Sequence, residues 1–371
     1  MLFLFIPVTS GKYRFGFLPP NVHNIFIIAG SIFTVMKKLN SLLLYSLLSL
    51  TAFSQQNADT LQQTGRDYMR KGDWGNAIMV FNRALQQKPN DISLLNDIAY
   101  TYFLQRDFAK ALETIKPVVE SDNADVQSFQ IAGTVYRAIE ELKEGAKVYN
   151  KGLKKFPNSG VLYSEYGELL WQKKDYAAIA QWEKGIAVDP NYPGNYYNAC
   201  RYYYFTTDKV WSLIYGEIFI NLESYTIRTA EIKNILFDGY KKLFAVPDLL
   251  KNYDSKKKNE FEKAFLTSMN TQSQVAATGI NPARLIAIRT GFIKNWLQTN
   301  AAKFPFRLFD YHKQLLEANM YEAYNQWIFG SAINAEQYQT WIKNNTEAYN
   351  TFNNFQRGRV FKLPKGEYYQ N

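Results

Sequence analysis

Between residues 58 and 192, apolar and small residues recur in two registers at once. Locally they fall three or four apart, the spacing that gathers them on one face of an α-helix. Over longer distances the pattern returns every 34 residues. Gly65, Ala99, Gly133 and Gly167 are evenly spaced, and Tyr68, Tyr102, Tyr136 and Leu170 follow each by three. Pro89 and Pro157 lie two periods apart, and Pro190 follows 33 residues later. A period of this length marks a repeat architecture. The predicted elements are antiparallel helix pairs. They turn at Gly72-Asp73 or Lys174-Asp175 within a pair and stop at the prolines between pairs.

Four units can be laid in register. The first, about 58–91, carries Leu61, Gly65, Tyr68, Ala77, Phe81, Ala84 and Pro89. The second, about 92–125, is weaker: Leu95, Ile98, Ala99, Tyr102, Ala111 and Ile115, with Asn123 in the proline place. The third, about 126–159, reads Phe129, Ala132, Gly133, Tyr136, Gly145, Tyr149 and Pro157. The fourth reads Tyr163, Gly167, Leu170, Ala178, Trp182 and Pro190, one residue short near Lys174. Gly or Ala at the shared small position lets two helices approach, and the Tyr a turn later is expected to fill the space beside it.

This pattern resembles the tetratricopeptide repeat, whose signature is a large residue, a Leu–Gly pair, a Tyr, then Ala, Phe and Pro. The resemblance covers about 58–192. It implies an all-α fold, a solenoid of helical hairpins whose first helices line a concave groove, and work as a binding scaffold. Carried onto this register, the groove residues are Gln62, Arg66 and Met69; Asn96, Tyr100 and Phe103; Gln130, Thr134 and Arg137; and Ser164, Glu168 and Trp171. Family members that hold a terminal carboxylate use a Lys/Asn/Arg clamp. Gln130 and Thr134 do not match it, so a peptide or helix segment is the expected ligand.

A fifth, degenerate hairpin and a following helix are expected over 193–245. Tyr196, Ala199, Cys200 and Tyr203 fall in register, Thr206-Thr207-Asp208 reads as a turn, and Val210–Leu222 as the second helix. Cys200 then takes the small core position, as a buried thiol. The period is lost from about 224 onward, and the expectation for 246–371 is a C-terminal helical domain. Helices are predicted near 260–269, 283–299, 306–319, 320–330 and 335–355, with a loop over Met269–Gly279 and a non-helical tail over Gln356–Asn371.

The N-terminus reads as a targeting segment. Lys37-Lys38 precede an apolar run from Leu39 to Phe53 that ends in Ala52-Phe53-Ser54, the pattern of an export signal cleaved after Ser54. Residues 36–54 are the expected signal peptide, and 1–35 an extension upstream of the true start at Met36. The expected location is the periplasm or envelope of a Gram-negative bacterium, with no membrane span left after processing.

Composition narrows the chemistry. Residues 1–54 hold four basic and no acidic residues, 55–193 are nearly neutral, and 194–371 carry 22 basic against 15 acidic residues. The basic half fits contact with an acidic partner or membrane surface, although a solvated face explains it equally. No nucleic-acid motif and no phosphate-cradling loop appears, so no cofactor is expected. Beyond residue 54 the chain has one His, His312, and one Cys, Cys200, which rules out His- or Cys-rich metal sites. His312 is expected at a helix surface or boundary. The reading is a non-catalytic protein-binding scaffold. Its alternatives are an envelope glycan-binding protein, favoured by the Tyr/Trp/Asn content, and a carboxylate-based hydrolase.

Overall fold

The computed structural model describes residues 57–251, 253 and 259–370. The expected export signal, its cleavage site and the Lys256–Lys258 run lie outside them. Four hairpins open the described residues: α1 (Ala58–Arg70) with α2 (Trp74–Gln87), α3 (Ile92–Leu104) with α4 (Phe108–Glu120), α5 (Val126–Ala138) with α6 (Leu142–Lys155), and α7 (Gly160–Gln172) with α8 (Ala178–Val188). α9 (Pro193–Phe205) and α10 (Val210–Leu222) make a fifth, and α11 (Ile227–Leu243) packs against both.

The period is written in the caps as well as in the core. Asn57, Asp91, Asp125 and Ser159 stand 34 residues apart, and each side chain accepts the N–H of the third residue in the first helix of its unit. The turns inside the hairpins repeat too. Gly72, Arg106, Glu140 and Lys174 all take positive φ, at 77°, 63°, 62° and 57°. Only the first is a glycine, which adopts that conformation without steric cost.

The small position faces its own hairpin's second helix. A Cβ built on Gly65 would lie 2.5 Å from Phe81, one on Gly133 2.2 Å from Tyr149, and one on Gly167 2.2 Å from Trp182. The ring that fills this space therefore comes from 15 or 16 residues downstream. The expectation that the Tyr one turn later fills it is corrected accordingly. In the fifth hairpin the sizes are exchanged: Cys200 is buried and packs on Gly216, whose added Cβ would lie 2.9 Å from Sγ.

First helices of successive hairpins pack on one another, while the second helices make no comparable contact, so the array curves with the first helices inside. Beyond α11 come α12 (Glu260–Asn270), α13 (Ser273–Ala277), α14 (Pro282–Thr299) and α15 (Arg307–Glu317). They are followed by α16 (Tyr321–Asn325), a π-helical turn (Gln326–Gly330), α17 (Ser331–Ile333), α18 (Ala335–Asn344) and α19 (Thr346–Gly358). The short α13 lies where a loop was expected. Its sequence, Ser-Gln-Val-Ala-Ala, contains no helix breaker, and Ala276 buries against the core.

One apolar core runs from Leu170 through α9–α11 into the C-terminal helices and ends at Leu363, so the last hairpins and the C-terminal half are welded together. α10 is its centre, with every residue from Val210 to Asn221 buried. The tail after α19 returns to the repeats, where Asn191 bonds both the N–H and the C=O of Leu363.

Candidate functional site

Most polar residues expected in the groove already hold a partner in a neighbouring hairpin. Gln62 Nε2 donates to Ser93 Oγ at 2.8 Å and to Asp97 Oδ2 at 2.7 Å, and Arg66 Nε reaches the same carboxylate at 2.8 Å. Two periods on, Gln130 Nε2 donates to Glu165 Oε1 at 2.9 Å, while Thr134 and Tyr149 hydroxyls donate to Oε2 at 3.4 and 3.0 Å. Arg137 pairs with Glu168 at 2.5 Å, and Asn198 Nδ2 reaches the other oxygen of Glu168 at 3.3 Å. These contacts form a polar ladder that ties each unit to the next.

Burial raises the Glu165 carboxyl, and the donors around it only partly offset that. Burial also disfavours charge on Arg137, but Glu168 outweighs it and the net shift is upward. Asp97 and Glu165 are the acceptors that sequence reasoning missed. They occupy the same register position two periods apart, which is the signal that would have found them.

Asn96 and Ser164 are corrections. Both are buried, because each helix turns that face toward the next unit. Asn96 Nδ2 donates to Asp125 Oδ1 at 3.1 Å, and Ser164 accepts from Asn198 at 3.4 Å. Met69 is half-buried and accepts from Thr101 Oγ1.

The open surface that remains is aromatic. Tyr100 is 38% exposed and stacks on Phe103, ring centroids 6.0 Å apart. With Gln127, Gln130, Thr134 and Arg137 they line a depression of about 530 Å³. A second depression of about 330 Å³ is lined by Trp171, Tyr202, Phe205, Tyr197, Asn198 and Arg201. Arg137 lines both, so the two are neighbours in the channel along the first helices. The contribution of α9 was not expected, because the groove positions were carried only over the first four units, although Tyr196, Ala199, Cys200 and Tyr203 of α9 fall in the same register.

A second polar cluster lies in the core between α10 and the C-terminal helices. Glu217 accepts from Arg289, from His312 Nε2 at 2.8 Å and from Tyr324 at 2.8 Å. Burial alone would raise the Glu217 carboxyl, but the Arg289 and His312 charges win and hold it at about 2. His312 is 2% exposed, which corrects its expected place at a surface. Burial holds its imidazole below the ordinary value despite Glu217. The cavity beside this cluster is about 10 Å³, room for little more than one water molecule and none for a substrate. The cluster is fitted to join helices. Among the described residues no group of three or more His, Cys, Asp or Glu side chains is placed to hold a metal, and no helix is long and apolar enough to cross a membrane.

The curved stack of helical hairpins with an inner channel defines a solenoid scaffold. A family model described as anaphase-promoting complex, cyclosome, subunit 3 matches residues 70–152. A TPR repeat-containing protein of Methanocaldococcus jannaschii is 26% identical over 199 residues, which are 48% of this chain and 35% of that protein. The chain thus spans about a third of the length of that curated relative. Among solved structures, a thermophilic TPR protein of Thermus thermophilus is 16% identical, with 48% of this chain and 98% of that one covered and a TM-score of 0.42. YrrB, described as a TPR protein with an unusual peptide-binding site, is 14% identical over 48% of this chain and 92% of its own, with a TM-score of 0.34. The chain is a tetratricopeptide-repeat protein.

Proposed function

We propose that the protein is a non-catalytic scaffold of the bacterial cell envelope that holds a segment of another protein in the channel along its first helices. The observation that carries this reading is the division of labour in that channel. Most of its charged and amide groups are spent on the inter-unit ladder, while Tyr100, Phe103, Trp171, Tyr202 and Phe205 leave aromatic surface open in two neighbouring depressions. Half-exposed aromatic anchors in a concave site are the groups that carry disproportionate binding energy. An amphipathic helix or extended peptide with two apolar anchors fits, and its polar backbone can approach the Gln127 amide.

Photo-crosslinking tests this. A benzophenone side chain at Tyr100 or Trp171 should trap one discrete partner, and the same probe at Asn82, exposed on a second helix, should not. The partner, once identified and purified, should bind the protein at least tenfold more weakly when Tyr100→Ala and Phe103→Ala are combined. Equal trapping from Asn82 and Tyr100, or unchanged affinity in the double variant, would remove the channel from the reading.

A further inference from the structure

α7, α9 and α11 run the same way, so their C-terminal ends meet at one edge of the array. The edge is held together by contacts between these elements. Trp171 lies 5.8 Å from the Tyr202 ring, Tyr204 donates to Asp238, and Lys242 Nζ sits 3.8 Å over the Tyr204 ring. Large apolar side chains stand out from this edge. Tyr176 is 68% exposed, Phe205 75% and Val246 38%. Lys173, Lys174, Lys241 and Lys242 are exposed among them. Lys242 is paired with Asp238, Lys241 lies over the Phe237 ring and adds to the positive charge beside Asp238, and Asp175 caps the N–H of Ala177, whereas Lys173 and Lys174 form no ion pair among the described residues.

We propose that this edge docks on a bilayer surface rich in anionic phospholipid. The chemistry is that of the membrane interface. Tyr and Phe side chains seat at headgroup depth, and each nearby lysine gains from the negative surface potential. Charge selects this occupant over a plain apolar one. Ile227 is 91% exposed and Tyr225 61%, in the loop at the other end of α10 and α11, but the adjacent Arg228 is neutralised by Glu223. The edge shares Phe205 with the rim of the second depression but needs neither Tyr100 nor Phe103, and it calls for surface docking, since no described helix can cross a membrane.

The test uses the full chain with a local probe. Cys200 is buried, so a thiol-reactive, polarity-sensitive fluorophore reports on Phe205→Cys or on the control Ile227→Cys. The expected result is a blue shift at position 205 on vesicles containing phosphatidylglycerol, none on phosphatidylcholine alone, and none at 227 on either. Adding Lys173→Glu with Lys174→Glu should weaken the response at 205 by about tenfold or more, and raising the salt should act the same way. No shift at 205, equal shifts at 205 and 227, or equal shifts on neutral vesicles would overturn the proposal. A shift at 205 that appears with protein concentration in the absence of vesicles would assign the edge to a second copy of the chain and overturn it as well.

Discussion

Gly133→Ala adds one carbon at one of the two closest approaches in the array. The new Cβ would stand 2.2 Å from Cζ of Tyr149 and within 2.7 Å of two more ring atoms. Ordinary contact begins near 3.4 Å, so the ring must withdraw by about 1 Å. Tyr149 is fully buried and its hydroxyl donates to Glu165, which also serves Gln130 and Thr134. Overpacking costs about 1–3 kcal/mol. Losing a hydrogen bond to a buried carboxylate costs about 1.5–3 kcal/mol. The better helix propensity of Ala returns about 1 kcal/mol. The net expectation is destabilisation by about 1.5–5 kcal/mol, read as a lower urea midpoint with an unchanged slope. Tyr149→Leu removes the ring edge that clashes, so the double variant should lose less than the sum of the two, by about 1 kcal/mol or more. Gly75 provides the opposite sign. It lies in α2 with nothing within 4 Å of an added Cβ, and Gly75→Ala should stabilise by up to about 1 kcal/mol. Midpoints that move the same way in both variants would refute the packing argument.

Further expectations come from the turns and the core. Glu140→Gly relieves a positive φ in a non-glycine residue and should raise the melting temperature slightly, with a gain of up to about 1 kcal/mol, where the same change at a helical position would lower it. Arg289→Met strands the buried Glu217 carboxylate and should cost about 3–5 kcal/mol in chemical denaturation; a variant as stable as the parent would show that the cluster does not bind the two halves together. Glu183 is pushed up to about 7 by burial, against its partners Tyr203 and Tyr368. Its folded pKa lies above the unfolded one, so its stabilising contribution is full below about pH 4.5 and is lost as pH rises through 7. Melting temperatures measured from pH 5 to 8 should fall less steeply for Glu183→Gln than for the parent, and parallel curves would assign the pH dependence elsewhere.

The repeats were legible because a hairpin solenoid is built from local rules applied four times. The 34-residue spacing of Gly65, Ala99, Gly133 and Gly167 implied the stack, and the caps Asn57, Asp91, Asp125 and Ser159 keep the same spacing. The groove was less legible, because the same positions serve two purposes. Gln62, Gln130 and Arg137 read as ligand contacts, yet their partners 31 to 35 residues downstream are the inter-unit ties that any solenoid needs. Only side chains without a hydrogen-bonding obligation there, such as Tyr100 and Trp171, stay open to a ligand. The C-terminal core shows a different kind of failure. Residue type alone puts His312 at a surface, although it falls on the stripe Leu308, Phe309, Leu315 that faces inward. Arg289 sits inside the stripe Leu285, Ile288, Phe292, Ile293, Trp296, and Glu217 is the one charge in the apolar run of α10. A lone charge in an apolar stripe demands a buried partner of opposite sign, since its desolvation cannot otherwise be met. Arg289 and Glu217 each state that demand, and a long-range pairing between their helices satisfies both at once. Position within the period, taken before residue type, would have pointed to the joint between the repeats and the C-terminal half.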